Sequence, residues 1–200
     1  TIGIVGGGQL GRMLAQAARK LGFSTVVLDP TPNSPAGQVA DKQIIGSFKD
    51  KEKILELGNE SDFITFEIES ANAEALEELI AKGKSVNPSP KNLSIIKDKF
   101  NQKVFLREND IPVADFALIE NKNDCERQGE LFGYPFLLKA RFDAYDGRGN
   151  FVIKEKGDIH SAFEKLSQSP LYAESFVPFV KELSVVCARS MDGEIITFPV

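Results

Sequence analysis

The residues best suited to chemistry lie in Phe136-Leu-Leu-Lys139-Ala-Arg141-Phe-Asp143-Ala144-Tyr145-Asp146-Gly147-Arg148-Gly149-Asn150. An apolar run ends in Lys139, and Phe151-Val152-Ile153 resumes the strand pattern after a charged, glycine-bearing loop. The pattern predicts two antiparallel strands joined by a loop too long and too charged for a plain turn. Lys139 would place a compact positive charge at a strand end. Gly147 and Gly149 would let the backbone approach a ligand and offer its N–H groups to phosphate oxygens. The polyphosphate of a nucleotide fits that combination. An ordinary hairpin loop, with Asp146-Gly147 as its turn and solvated charges, fits the spacing too.

A second constellation opens the chain. Gly6, Gly8 and Gly11 form G-x-G-x-x-G between a short strand, Ile2 to Val5, and a helix. Leu10, Met13, Leu14, Ala17, Ala18 and Leu21 share one face of that helix, the face expected to be apolar. The next strand, Thr25 to Leu28, ends at Asp29, where a ribose-binding acid falls in a dinucleotide fold. The loop would bring helix N-terminal N–H groups near an anion, or the glycines would serve strand-to-helix packing alone. Glu67 and Glu69 follow a strand expected to be buried, Asp62 to Phe66, and point to one side. They could hold a substrate's amine or hydroxyls, or form a solvated strand end.

Further elements must position these groups. A proline-rich loop spans Asp29 to Gly37; helices are expected over 51–57 and 73–82, and a strand at Ser85-Val86. Ser89 as cap and Pro90 at the first position predict one long helix through Leu93, Ile96, Phe100, Val104 and Phe105 to about Asn109. Its Lys97, Lys99 and Lys103 take no role from pattern alone. Strand 116–119, helix 123–132, the Lys139 hairpin and helix 158–166 make an α+β module, in which His160 is a surface residue. Leu171 to Pro178 leaves a strand for a connector. Glu182 to Ala188 reads as a strand, turned by Asp192-Gly193 into Glu194 to Phe198.

Composition sets bounds. The 200 residues suit one large or two small domains, and 42% hydrophobic with 26% charged residues is globular. A net charge of -5 without a basic block argues against nucleic acid. No apolar run approaches membrane-spanning length. Cys125 and Cys187 lack metal-type spacing and suggest reduced thiols in a cytoplasmic protein. The chain begins on Thr1 and stops within a strand-like run, so it is expected to be the amino-terminal portion of something longer.

Together the landmarks resemble an ATP-grasp enzyme preceded by a Rossmann-like domain. Within that superfamily they are similar to the 5-(carboxyamino)imidazole ribonucleotide synthase family. The resemblance rests on Gly3 to Met13, Thr65-Phe-Glu-Ile-Glu69, Pro88-Ser-Pro90, Asp98-Lys99 with Gln102-Lys103, Lys139, and Tyr145 to Gly149, and it covers the whole chain. It implies an α/β fold: a Rossmann-like parallel-sheet domain over 1–93, a linking helix and ATP-grasp lid over 94–181, and a carboxyl-terminal ATP-grasp subdomain starting at 182–200 and incomplete at residue 200. It implies a ligase that carboxylates 5-aminoimidazole ribonucleotide with bicarbonate and ATP, through carboxyphosphate, in purine biosynthesis. ATP and Mg²⁺ are the implied cofactors. A homodimer is implied at full length, and inactivity for residues 1–200 alone.

The resemblance also implies roles. Lys139, Tyr145, Asp146 and Arg148 look catalytic. Lys99 and Lys139 look like phosphate-contacting cations, with Ala144 to Asn150 as the loop closing over the nucleotide. Glu174, Ser175, Phe176 and Val177 look like the connector read by adenine, and Glu182 like the ribose-hydroxyl acceptor. Gly8, Gln9, Leu10 and Glu67, with Tyr145, Asp146 and Arg148, look like contacts to the imidazole nucleotide. The family often has Gly-Gly where Asp143-Ala144 stands here. Metal ligands are expected past residue 200. Other readings are a different ATP-grasp ligase, such as formate-dependent glycinamide ribonucleotide transformylase or biotin carboxylase, an NAD(P)-dependent oxidoreductase, and a non-catalytic nucleotide-binding module. The oxidoreductase leaves Lys139 to Gly149 without a purpose.

Overall fold

The computed structural model describes residues 1–142, 149–166 and 169–200. The first sheet has five parallel strands in the order β3-β2-β1-β4-β5. They are β1 (Ile2–Val5), β2 (Thr25–Asp29), β3 (Lys42–Ile45), β4 (Phe63–Phe66) and β5 (Ser85–Val86). Helices α1 (Gln9–Lys20), α2 (Lys51–Asn59) and α3 (Ala73–Ala81) connect them. Ile4 and Val27 pack with Ala15 and Ala36 in one core cluster; Val5, Leu28, Ile54, Leu57 and Leu76 belong to another. The chain leaves β1 toward β2 on one side, and β4 lies on the other. The crevice at the carboxyl ends of β1 and β4 is therefore a topological switch point, where open parallel sheets bind ligands.

Several expectations need correction here. The face of α1 carrying Leu10 and Met13 turns outward, with these residues 58% and 56% exposed; Gly11, Ala15 and Ala18 face the sheet. Small residues win that side because α1 lies close over the strands. A Cβ on Gly11 would stand 2.3 Å from the Gly6 carbonyl oxygen. Gly11→Ala is therefore expected to cost about 2 kcal/mol, and an unchanged melting temperature would contradict this packing. β3 was not expected, since Lys42-Gln-Ile-Ile is short and weakly alternating. β4 is less buried than its sequence suggests: Ile64 is in the core, while Phe63 is 53% exposed.

The expected long helix is two, α4 (Lys91–Ile96) and α5 (Lys99–Glu108). Asp98 breaks it by adopting an extended backbone and accepting hydrogen bonds from the Phe100 and Asn101 amides. Short acidic side chains compete in this way with the helical ladder. Ser89 does not cap α4; Pro90 holds that position without a side-chain bond.

The second sheet is antiparallel, in the order β6-β9-β7-β8. Its strands are β6 (Phe116–Ile119), β7 (Phe136–Ala140), β8 (Asn150–Ile153) and β9 (Leu171–Ser175). Helices α6 (Lys122–Phe132) and α7 (Asp158–Leu166) supply Cys125, Ile159 and Ala162 to a core shared with Phe136, Leu138, Ile153 and Ala173. Burial lifts the Cys125 thiol to about 12, which leaves it inert as a nucleophile. His160 is on the surface, its Nε2 3.0 Å from Glu164. The run expected as a strand from Glu182 is one only over β10 (Cys187–Arg189), paired with β11 (Ile195–Thr197). Residues 182–186 lie outside it, and the hairpin exposes Val186, Ile195, Ile196 and Phe198. No helix among the described residues is long and apolar enough to cross a membrane.

Candidate functional site

Strand alternation selects which side chains leave the core of the second sheet. Phe136, Leu138 and Ala140 face α6 and α7, so Leu137 and Lys139 face the other way. The register pairs Leu137 with Glu174 and Lys139 with Tyr172, which makes Lys139 and Glu174 diagonal neighbours on that second face. Lys139 Nζ donates to Glu174 Oε1 at 2.7 Å. Lys103 reaches in from α5, with Nζ 2.6 Å from Glu174 Oε2. Two cations thus share one carboxylate that is only 8% exposed. Phe100 holds α5 against this face, edge-on to Phe116 at 5.4 Å and to Tyr172 at 6.2 Å.

Burial works against the charge on Glu174, but the ammonium groups of Lys103 and Lys139 beside it outweigh it and hold the carboxyl below its ordinary 4.5. A lowered folded value stabilises the fold above the ordinary value, and that stability is lost as pH falls through the lower one. Melting temperature is therefore expected to drop as pH falls below about 4.5, and less steeply in Lys103→Met. Parallel acid limbs in the two proteins would contradict the pairing.

At the other site, β1 runs out into Gly6, whose φ of +106° suits glycine. Gly8 caps α1 with backbone alone. Its N–H donates to Glu67 Oε1 at 3.3 Å, which brings the end of β4 to the start of α1. Burial raises the Glu67 carboxyl, against the pull of the Gly8 N–H, and Asp29 and Glu69 add repulsion. Glu69 is exposed. Asp29 does not present itself to a ribose: its Oδ2 accepts from Gly7 N and its Oδ1 from Thr31 N, both at 2.8 Å. It shapes the glycine loop from within.

The structure thus joins Lys139 with Glu174, and Gly8 with Glu67. Gln9 and Leu10 are exposed beside Gly8. Lys99 begins α5, and its N–H donates to the Arg141 carbonyl at 2.9 Å. Ser175 ends β9, Phe176 and Val177 follow half exposed, and Glu182 is exposed. Gly149 and Asn150 lead into β8. Ala144, Tyr145, Asp146, Gly147 and Arg148 lie outside the described residues. Lys103 is the member that pattern did not single out. The signal was its place one turn after Lys99, but helical lysines usually face water.

Residues 1–97 match the ribonucleotide synthetase pre-ATP-grasp domain, and residues 104–200 match the ATP-grasp domain. A parallel sheet with a glycine loop, then an antiparallel sheet with a half-buried lysine pair, is the arrangement of an ATP-grasp protein. Phosphoribosylaminoimidazole carboxylase of Ogataea methanolica is 45% identical over an alignment 203 positions long, covering 100% of this chain and 37% of that protein. The crystal structure of N5-carboxyaminoimidazole ribonucleotide synthetase from Thermotoga maritima is 44% identical with a TM-score of 0.88, covering 99% of this chain and 52% of that one. The N5-carboxyaminoimidazole synthase of Aspergillus clavatus, in complex with ADP and 5-aminoimidazole ribonucleotide, is 39% identical with a TM-score of 0.90 over 99% and 52%. The chain belongs to the N5-carboxyaminoimidazole ribonucleotide synthase family of ATP-grasp proteins. It spans about half the length of those solved structures and about a third of that curated relative.

Proposed function

We propose that this chain carries the nucleotide-handling part of an enzyme that carboxylates 5-aminoimidazole ribonucleotide, in de novo purine biosynthesis. The observation that carries the reading is the Lys103–Glu174–Lys139 cluster between α5 and the second sheet. Half-buried cations gathered from α5 and β7 suit a polyphosphate, and a carboxylate keeps them paired until it arrives. In the reaction, a bicarbonate oxygen takes the γ-phosphoryl group and ADP leaves. The amine nitrogen then attacks the carboxyl carbon of carboxyphosphate, and phosphate and a proton leave.

Lys139 and Lys99 hold phosphate oxygens in this reading. Residues 144–150 cover the nucleotide, and Tyr145, Asp146 and Arg148 also meet the imidazole nucleotide. The backbone of Glu174 to Val177 meets adenine, and Glu182 the ribose. Gly8 opens the turn that meets the second nucleotide, Gln9 and Leu10 offer it first-turn N–H groups, and Glu67, oriented by the Gly8 N–H, accepts from its amine. Support for that last pair comes from the exposed start of α1 and the Glu67 carboxylate beside it.

Mg²⁺, when bound, would offset charge on the transferring phosphoryl group. In this reading its ligands lie in the part of the relatives that this chain does not span. A homodimer and a cytoplasmic location go with this reading.

The test is ADP release by the protein extended over its relatives' length, with ATP, Mg²⁺ and bicarbonate. Release that depends on 5-aminoimidazole ribonucleotide is expected. Release that depends instead on glycinamide ribonucleotide with formate would assign a different ATP-grasp ligase.

A further inference from the structure

We infer that the Asp98–Arg141 ion pair positions Lys99 and Lys139 relative to each other, and so sets ATP affinity without touching the nucleotide. This rests on the nucleotide reading of those two lysines. Asp98 directly precedes Lys99 at the start of α5, and Arg141 stands two residues beyond Lys139 at the end of β7. The pair thus joins the two segments that carry the cations.

The joint is built on three sides. Arg141 donates through Nε to Asp98 Oδ1 at 3.0 Å and through Nη2 to Oδ2. Its carbonyl accepts the Lys99 N–H at 2.9 Å, and its own N–H donates to the Pro170 carbonyl at 2.9 Å, just before β9. Its guanidinium lies 5.2 Å from the Phe100 ring centre and 5.6 Å from that of Phe142. Asp98 is 5% exposed and also caps α5. A bidentate pair fixes orientation as well as distance. A buried pair is a poor means to stability alone, since apolar residues of like volume do as well. What this one adds is a fixed register between α5 and β7. Phosphate contacts are sensitive to such register, because a displacement of about 1 Å can cost on the order of 100-fold in rate.

The experiment compares two variants in the protein extended over its relatives' length. Asp98→Asn keeps a helix-capping oxygen and loses the charge. Arg141→Lys keeps the charge and loses the planar fork. In each, KM for ATP is expected to rise roughly tenfold or more, with KM for 5-aminoimidazole ribonucleotide unchanged. A purely structural pair would lower the active fraction instead, so kcat would fall with both KM values unchanged. A raised KM for ATP in either variant supports positioning. An unchanged KM for ATP in every variant that folds overturns it. Lys139→Met is the companion: if it raises KM for ATP while the pair's variants do not, only the positioning role falls. If it leaves both KM for ATP and kcat unchanged, the nucleotide reading falls.

Discussion

Lys139→Met is expected to lower ATP-dependent turnover about 100-fold or more. The side chain reaches the face of the second sheet that α5 covers, where its charge is preorganised by Glu174 at 2.7 Å. Met preserves most of the stem and its packing on that face, so the loss is one of charge. Lys103 stays beside Glu174, which keeps the carboxylate paired and the fold intact. Single-turnover ADP release, with melting temperature as the control, checks this. A kcat near that of the unaltered protein would remove Lys139 from the site.

Glu174→Gln should cost stability more than any single change on α5. It leaves Lys103 and Lys139 facing each other without the carboxylate between them. Removing one partner from a buried charge cluster costs about 3 kcal/mol, which for a chain of this size is a fall of roughly 6 to 12 °C in melting temperature. Adding Lys103→Met to that background relieves the repulsion, so the double variant should be more stable than the sum of the singles predicts. Strict additivity would show that the three groups are not coupled.

The parts legible in the sequence are those governed by short-range rules. The glycine loop announced strand, turn and helix, and the Lys139 hairpin announced its two strands. Lys139 and Glu174 were both singled out, but their meeting was not foreseen, because it depends on the β7–β9 register between segments 35 residues apart. The apolar face of α1 misled for a related reason. Periodicity finds a stripe of large side chains, whereas a helix close over a sheet selects small ones, here Gly11, Ala15 and Ala18. Asp29 misled because an acid at a strand end can serve the loop beside it as readily as a ligand. Asp98 was visible as part of a motif, but its pairing with Arg141, 43 residues away, was not.

The order of strands along the chain bears on how the protein is made. All five strands of the parallel sheet lie within the first 86 residues, with β1 at the centre from the outset. That unit can close on itself while the rest is still being synthesised. The antiparallel sheet cannot: β6 ends at Ile119 and its partner β9 ends at Ser175. At ~5–20 residues per second, a ribosome leaves β6 unpartnered for roughly 3 to 11 s. Lys139 also emerges before Glu174, so the charge cluster forms only when the last strand of that sheet docks. A nascent chain arrested between these points should resist protease over its first 86 residues and remain open to it from β6 onward.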